Sequence, residues 1–373
     1  MNPASRKVSI VATFPAGVII GMIVSVIFMT NVSGMSARAE EPLSLVGRHS
    51  LMCPICSEPF AALSSSQTNT RGGTDRDLFT RAVGPQPEYY RVSTCPRCGY
   101  SGYLTDFNDD VRLMPDFRRR ITQEPKLKLP DGFGPQSDPR ELDALDRYRL
   151  AIQCYQWSQK SDEALAWLNL RASWVARDEG SMLPKDLRLA RVLQFAERWR
   201  PDLSDAGDQY HVEMQLVTRM LEALTDGQFN RYQRPYVELA VALILRRHGE
   251  NRQAGPLLDG LVSEAAFSES LRTGIEKMRA SIVLERQFQT EAARCFEQAL
   301  LAERIVGANR ASAKYLLGEL YRRLGRDRDA IRWYDEVLRD PTISPPIREW
   351  ANEQRAWSIG QPATKPTLTP LPR

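Results

Sequence analysis

The sequence predicts a mainly α fold: a helical repeat array preceded by a small N-terminal β-rich module that carries four cysteines. Three observations predict it. Apolar residues recur at helical spacing from residue 140 onward, three sets of positions repeat at a 38-residue step, and four of the six cysteines form two Cys-x-x-Cys pairs before residue 100. With 373 residues, 42% hydrophobic and 26% charged, the chain has the length for two or three domains and the apolar content to bury their cores.

The first 39 residues read as a membrane signal. Arg6 and Lys7 precede an uncharged run from Val8 to Met29, long enough as a helix to cross a hydrocarbon core. Ala37-Arg38-Ala39, just before Glu40 and Glu41, has the small-residue pattern read by a signal peptidase. The length of the run favours an uncleaved anchor, whereas Pro15 and Gly17 shorten its effective helix and favour a cleaved signal peptide. On either reading the two basic residues stay in the cytoplasm and the folded part crosses the membrane. The expected location is therefore a membrane-anchored, extracytoplasmic one, with secretion or periplasmic release after cleavage near Ala39 as the alternative.

Residues 45–121 read as the β-rich module, because short aromatic and β-branched stretches such as Tyr89-Tyr90-Arg91-Val92 alternate with Gly, Pro and Ser. Residues 122–139 hold four prolines and read as a linker through which no helix or central strand continues. Arg118, Arg119 and Arg120 form the one tight basic cluster, read as solvated charge. The remaining excess of 50 Lys and Arg over 46 Asp and Glu is spread thinly, which argues against nucleic acid as a partner.

Residues 140–358 read as the helical repeat domain. Leu189, Val192, Leu193, Ala196 and Trp199 place one apolar stripe on a helix, as do Val237, Ala240, Val241, Ile244 and Leu245. Ala254, Ala292 and Ala330 follow one another at 38-residue steps, and so do Leu258, Phe296 and Tyr334, and Leu261, Ala299 and Val337. Gly249 and Gly325 sit where a first helix ends, since glycine takes the left-handed cap conformation without a side-chain clash. Leu317, Gly318, Tyr321, Ala330 and Tyr334, with Pro341 beyond, resemble the tetratricopeptide repeat. Lys314 stands at that motif's usual Trp position, and the 38-residue step exceeds the usual 34, which implies longer helices or loops. Residues 359–373 are Pro-rich and read as a disordered tail.

Cys53-Pro54-Ile55-Cys56 and Cys95-Pro96-Arg97-Cys98-Gly99-Tyr100 carry the strongest chemical signal. Two residues between cysteines let one turn aim both thiolates at one ion, and two such turns complete a closed tetrahedral sulfur site of the zinc-ribbon type. Cys53, Cys56, Cys95 and Cys98 are thus the expected ligands of a structural zinc, with iron the less favoured metal. Gly99 allows the backbone to bend back over its knuckle, and Ser57 takes the corresponding place in the other. Because export would place the thiols in an oxidising compartment, two disulfides remain a rival state. Thioredoxin-like exchange lacks its βαβ surroundings. Cys154 and Cys295, alone in helical segments, read as small buried apolar residues.

The order of these parts resembles a bacterial family, domain of unknown function 2225. The resemblance rests on Cys53 to Cys56 with Phe60, on Arg71 with Asp75 and Asp77, on Tyr89 and Tyr90, on Cys95 to Tyr100, and on Phe107. Tyr148-Arg149-Leu150-Ala151-Ile152-Gln153-Cys154-Tyr155 and Leu170-Arg171-Ala172-Ser173-Trp174-Val175-Ala176-Arg177 extend it into the helices. It covers about residues 50–340 and implies the architecture, without an activity.

No catalytic constellation emerges. His49, His211 and His248 form no metal-binding or nucleophile–base pattern and read as surface or helix-packing residues. Asp75 and Asp77, after Gly72 and Gly73, read as part of a solvated or hydrogen-bonded loop, as do Asp109 and Asp110, with an acid pair for hydrolysis as the lesser alternative. No glycine-rich phosphate loop follows a strand. The expectation is a non-catalytic, membrane-associated scaffold whose repeats offer a concave surface to a protein or peptide. The alternative is an extracytoplasmic thiol or metal redox protein using the two Cys-x-x-Cys pairs.

Overall fold

The computed structural model describes residues 46–65, 69–108, 115–123, 127–200, 208–341 and 343–360. The uncharged N-terminal run, the site near Ala39, Asp109, Asp110 and the tail from residue 361 lie outside them. Among the described residues the chain is mainly helical, with eleven α-helices and two two-stranded sheets. None of these helices is long and apolar enough to cross a membrane.

Each sheet is a hairpin closed by one cysteine knuckle. β1 (Val46–Met52) pairs antiparallel with β2 (Pro59–Ser65), Met52 opposite Pro59, so the turn between them contains Cys53 and Cys56. β3 (Val92–Thr94) pairs with β4 (Ser101–Tyr103), Thr94 opposite Ser101, around Cys95 and Cys98. α1 (Pro115–Gln123) buries Phe117 and Ile121 against the knuckles. The segment from residue 127 continues that contact through Leu127, although it holds no helix before Pro139. α2 (Ala144–Trp157) closes the same core with Leu150 and Cys154, while its Tyr148, Ala151 and Tyr155 meet the next helix. The hairpins therefore share one apolar core with the helical region.

α3 (Asp162–Gly180) is capped by Ser161, whose side chain accepts the Ala164 N–H at 3.2 Å. α4 (Leu187–Ala196) shows the expected stripe: Leu189, Leu193 and Ala196 are buried and Val192 is half-buried, before a 3-10 turn carries Trp199. α5 (Gln209–Thr225) leads into α6 (Arg234–Arg247), where the expectation of a single stripe fails. From Pro235 to Arg246 only Glu238 escapes full burial, because α4, α5 and α7 all pack on α6. A helix surrounded on every side needs apolar residues on every side.

α6 and α7 (Asn251–Leu261) form one helical hairpin, and α9 (Ala308–Arg323) and α10 (Asp327–Leu338) form another, followed by α11 (Pro345–Ser358). Gly249 and Gly325 turn them at φ +71° and +81°. Between the hairpins the third unit is opened out: α8 (Glu269–Leu301) is one continuous 33-residue helix lying along α3. Gln287 stands in α8 at the 38-residue equivalent of those two glycines, and without a left-handed residue the chain does not turn. The repeated residues keep their role in all three units. Ala254, Ala292, Ala330, Leu258, Phe296 and Tyr334 are all fully buried. A Cβ on Gly318 would lie 2.7 Å from the Tyr334 ring, which explains the small residue there.

Candidate metal centre and the segment it anchors

The sulfurs of Cys53, Cys56, Cys95 and Cys98 lie within 4.8 Å of one another and can hold a metal ion. The Cys53–Cys98 and Cys56–Cys95 sulfur separations are both 3.6 Å. A tetrahedron with metal–sulfur bonds of about 2.3 Å has edges of about 3.8 Å, whereas a disulfide brings sulfurs to about 2.05 Å. The knuckle backbones are alike. Ser57 donates to the Cys53 carbonyl at 2.9 Å and Gly99 to the Cys95 carbonyl at 3.0 Å, and each has a left-handed φ, +60° and +78°. Ser57, which departs from the glycine pattern, thus adopts the glycine conformation and bears its steric cost.

As thiols alone, Cys53, Cys95 and Cys98 are pushed in opposite directions by their mutual hydrogen bonds. Hydrogen bonding from Cys53 and Cys98 holds Cys95 far below the ordinary thiol range, and donating in turn pushes Cys53 and Cys98 up. Only a cation at the centre allows all four to be thiolates together. Behind the knuckles Phe60, Tyr100, Phe107 and Phe117 form an aromatic core, with ring centroids 5.1 to 6.0 Å apart. Cys154 is buried there and accepts the Ser101 N–H at 3.4 Å; desolvation pushes its thiol up to about 12, so it is an inert thiol at neutral pH.

The chain between the two knuckles does something the sequence did not foretell. Residues 72–81 form a narrow β-like loop, with Gly72 N–H to Arg81 O at 3.0 Å and Arg81 N–H to Gly73 O at 2.9 Å. Its tip, Asp75-Arg76-Asp77-Leu78-Phe79, is driven into the helical region. Asp75, Arg76 and Asp77 are at most 2% exposed, so of the two expectations, a solvated loop or a hydrogen-bonded turn, the loop is hydrogen-bonded and buried rather than solvated. Asp75 accepts from Arg81 at 2.9 Å and from His248 Nδ1 at 2.8 Å. Asp77 meets Arg177, the Trp174 indole N–H at 3.1 Å and Arg323 at 3.2 Å. Arg76 points the opposite way, to Asp208 at 2.9 Å and Glu353 at 3.0 Å, under the Tyr210 and Trp350 rings. Phe79 stacks on Trp174 at 5.4 Å.

Burial alone would raise the Asp75 carboxyl, but Arg81 and His248 outweigh it and hold Asp75 well below its ordinary range. Burial would likewise lower His248, yet Glu213 at 2.7 Å and Asp75 hold it above the usual imidazole value. Both ring nitrogens of His248 are thus clamped between buried carboxylates. His211 donates to Asp208 and Glu353, both at 3.0 Å, and is pushed up to about 9 by those bonds. Two of the three histidines thus serve ion networks, while the exposed His49 bonds the half-buried Ser64 hydroxyl at 2.6 Å. Asp75 and Asp77 are both buried and are enclosed by cationic donors, so each carboxylate is committed to an ionic contact within the protein.

The sequence reasoning missed Arg177, Glu213, Glu285, Arg246 and Arg323 as members of this network. Its one visible signal was the doubled arginine that ends both hairpin first helices, Arg246-Arg247 and Arg322-Arg323. Such residues ordinarily complement a helix C-terminus, so the pattern alone did not mark them as buried.

A family model described as an uncharacterized protein conserved in bacteria, domain of unknown function 2225, matches residues 47–279 and 280–357. No curated protein and no solved structure matches the chain.

Proposed function

The chain belongs to the family of domain of unknown function 2225, uncharacterized proteins conserved in bacteria, and we propose that it is a non-catalytic scaffold built round a structural zinc ion. The observation that carries this reading is the closed sulfur cluster. Four Sγ atoms within 4.8 Å of one another, on knuckles whose turns are already formed, supply the full ligand set of a four-coordinate ion and leave no position open for a substrate. Zinc suits such a site because it needs no redox chemistry and no further ligand. Metal analysis with thiol counting on the purified chain tests it: one zinc and four protected thiols are expected. One iron, or two disulfides with no metal, overturns it, and the disulfides would favour the thiol-redox alternative.

The helical region is the interaction surface of the scaffold, and its partner is a protein or peptide. The Asp75–Phe79 tip takes up space among the helices, so the partner is assigned to the outer side. Support comes from the apolar surface of α4, where Leu187 is 79% exposed and Phe195, 39% exposed, sits 5.1 Å from Trp199 and 6.3 Å from Phe229. The uncharged run Val8–Met29 would tether the scaffold to a membrane with its folded part extracytoplasmic. Protease added to intact cells should cleave the folded part only after the outer barrier is opened. Crosslinking in those cells should give an adduct that Phe195→Asp abolishes at unchanged metal content. An adduct indifferent to that substitution removes α4 from the interface.

A further inference from the structure

Because α8 runs straight between the two glycine turns, a cavity of about 60 Å³ is left beside its middle, lined by Asn251, Arg252, Ile282, Arg286, Gln289 and Arg323. A single water needs roughly 10–15 Å³ on such a measure, so the space suits a group of several heavy atoms. Three lining residues are arginines, contributed by three different helices, and none is acidic.

Arg323 is the buried member, its side chain 1% exposed. Its Nε lies 3.3 Å from Glu319 and its Nη1 3.2 Å from Asp77, but neither Nη1 nor Nη2 has an aligned hydrogen-bond acceptor among the described residues. Leaving guanidinium N–H groups buried and unbonded is costly, and native proteins rarely do so without a ligand or water. Arg252 and Arg286 are exposed and make the rim. Arg252 reaches Asp327 at 2.9 Å, whereas Arg286 donates only to the Leu324 carbonyl at 3.2 Å and has no carboxylate partner among the described residues.

Two further features add donors of the same sign. α7 begins at Asn251, after Glu250, without a side-chain cap; the Gln253 and Ala254 N–H groups are taken by the Glu250 carbonyl, which leaves the Asn251 and Arg252 amides at the positive end of the helix. The amides of Asn251 and Gln289 are held by Glu285 at 2.8 and 2.9 Å, and each keeps a second N–H. The charge of Glu285 itself is answered by Arg246 and Arg177.

We propose that this cavity binds a tetrahedral oxyanion of the phosphate class, as the free ion or as the terminal phosphoryl group of a small ester that leaves between Arg252 and Arg286. Arginines from three helices lining one cavity suit a tetrahedral anion with several acceptor oxygens, where a planar carboxylate would leave part of the set unused. The anion would also supply the acceptors that Arg323 lacks.

The test is calorimetric titration of the full metal-loaded chain with inorganic phosphate and with glycerol phosphate, each against potassium chloride at matched ionic strength. Saturable one-to-one binding is expected, weakened at least tenfold by Arg286→Gln. That substitution removes a rim guanidinium whose only protein hydrogen bond is to a carbonyl, so the variant should fold. Arg323→Met should abolish binding, and since Arg323 also meets Asp77, Arg286→Gln decides the outcome if the Arg323 variant is unstable. Binding of inorganic phosphate alone assigns the free ion, and equal or tighter binding of the ester assigns a phosphoryl group. Identical heats with chloride, or undiminished binding by Arg286→Gln, overturn the proposal.

Discussion

At the scale of single residues, two positions carry costs or charges that measurement can expose. Ser57 holds φ +60°, a conformation that costs an L-residue about 1–2 kcal/mol, while its counterpart Gly99 holds +78° freely. Ser57→Gly is therefore expected to stabilise the metal-loaded protein by about 0.5–1 kcal/mol in denaturant titrations; a loss of stability would mean that the hydroxyl is needed where it stands. His211 is held up to about 9 by Asp208 and Glu353. A raised folded-state value favours folding through the protonated form. Its contribution is complete below the ordinary histidine value of 6.5 and disappears as pH rises through about 9. The stability gap between the wild type and His211→Gln should accordingly close between those two values. A gap that stays constant up to pH 9 would show that His211 acts through packing.

At the scale of elements, the same repeat position has opposite meanings in neighbouring units. Gly325 turns a hairpin at φ +81°, and Gln287, 38 residues earlier, lies inside α8. Gly325→Ala should cost about 1–2 kcal/mol through backbone strain, and Gln287→Gly about 1 kcal/mol through lost helix propensity. Thermal melts of the two variants check both signs at once. The buried loop is the other element with a sharp expectation. Asp77→Ala leaves Arg177 and Arg323 facing each other without their shared carboxylate, a loss of the order of 3–5 kcal/mol for a buried pair. A variant that melts within a degree of the wild type would mean that water replaces Asp77.

At the scale of the whole molecule, the loop joins the two halves. Its ends are the strands β2 and β3, each beside a knuckle, and its tip is locked between α3, α6, α9 and α11. Chelating the metal should therefore speed amide exchange at residues 72–81 as well as at 95–103. Unchanged protection at 72–81 would show that the ionic lock holds the loop by itself.

The sequence by itself determined the helical content, the four sulfurs, and the small and large residues that alternate at 38-residue steps. Those features follow from local spacing: Cys-x-x-Cys is one turn, Gly249 and Gly325 are caps, and an apolar stripe names its own face. Only the tertiary structure decided that α6 is enclosed on all sides, that the middle unit opens into one straight helix, and that Asp75, Arg76 and Asp77 are buried. Burial of charge cannot be read locally, because the partners that make it tolerable lie up to 277 residues away, as Glu353 does from Arg76. Without those partners the Asp-Arg-Asp tip has the composition of any surface turn, and the four cysteines name a metal site without disclosing the segment suspended between them.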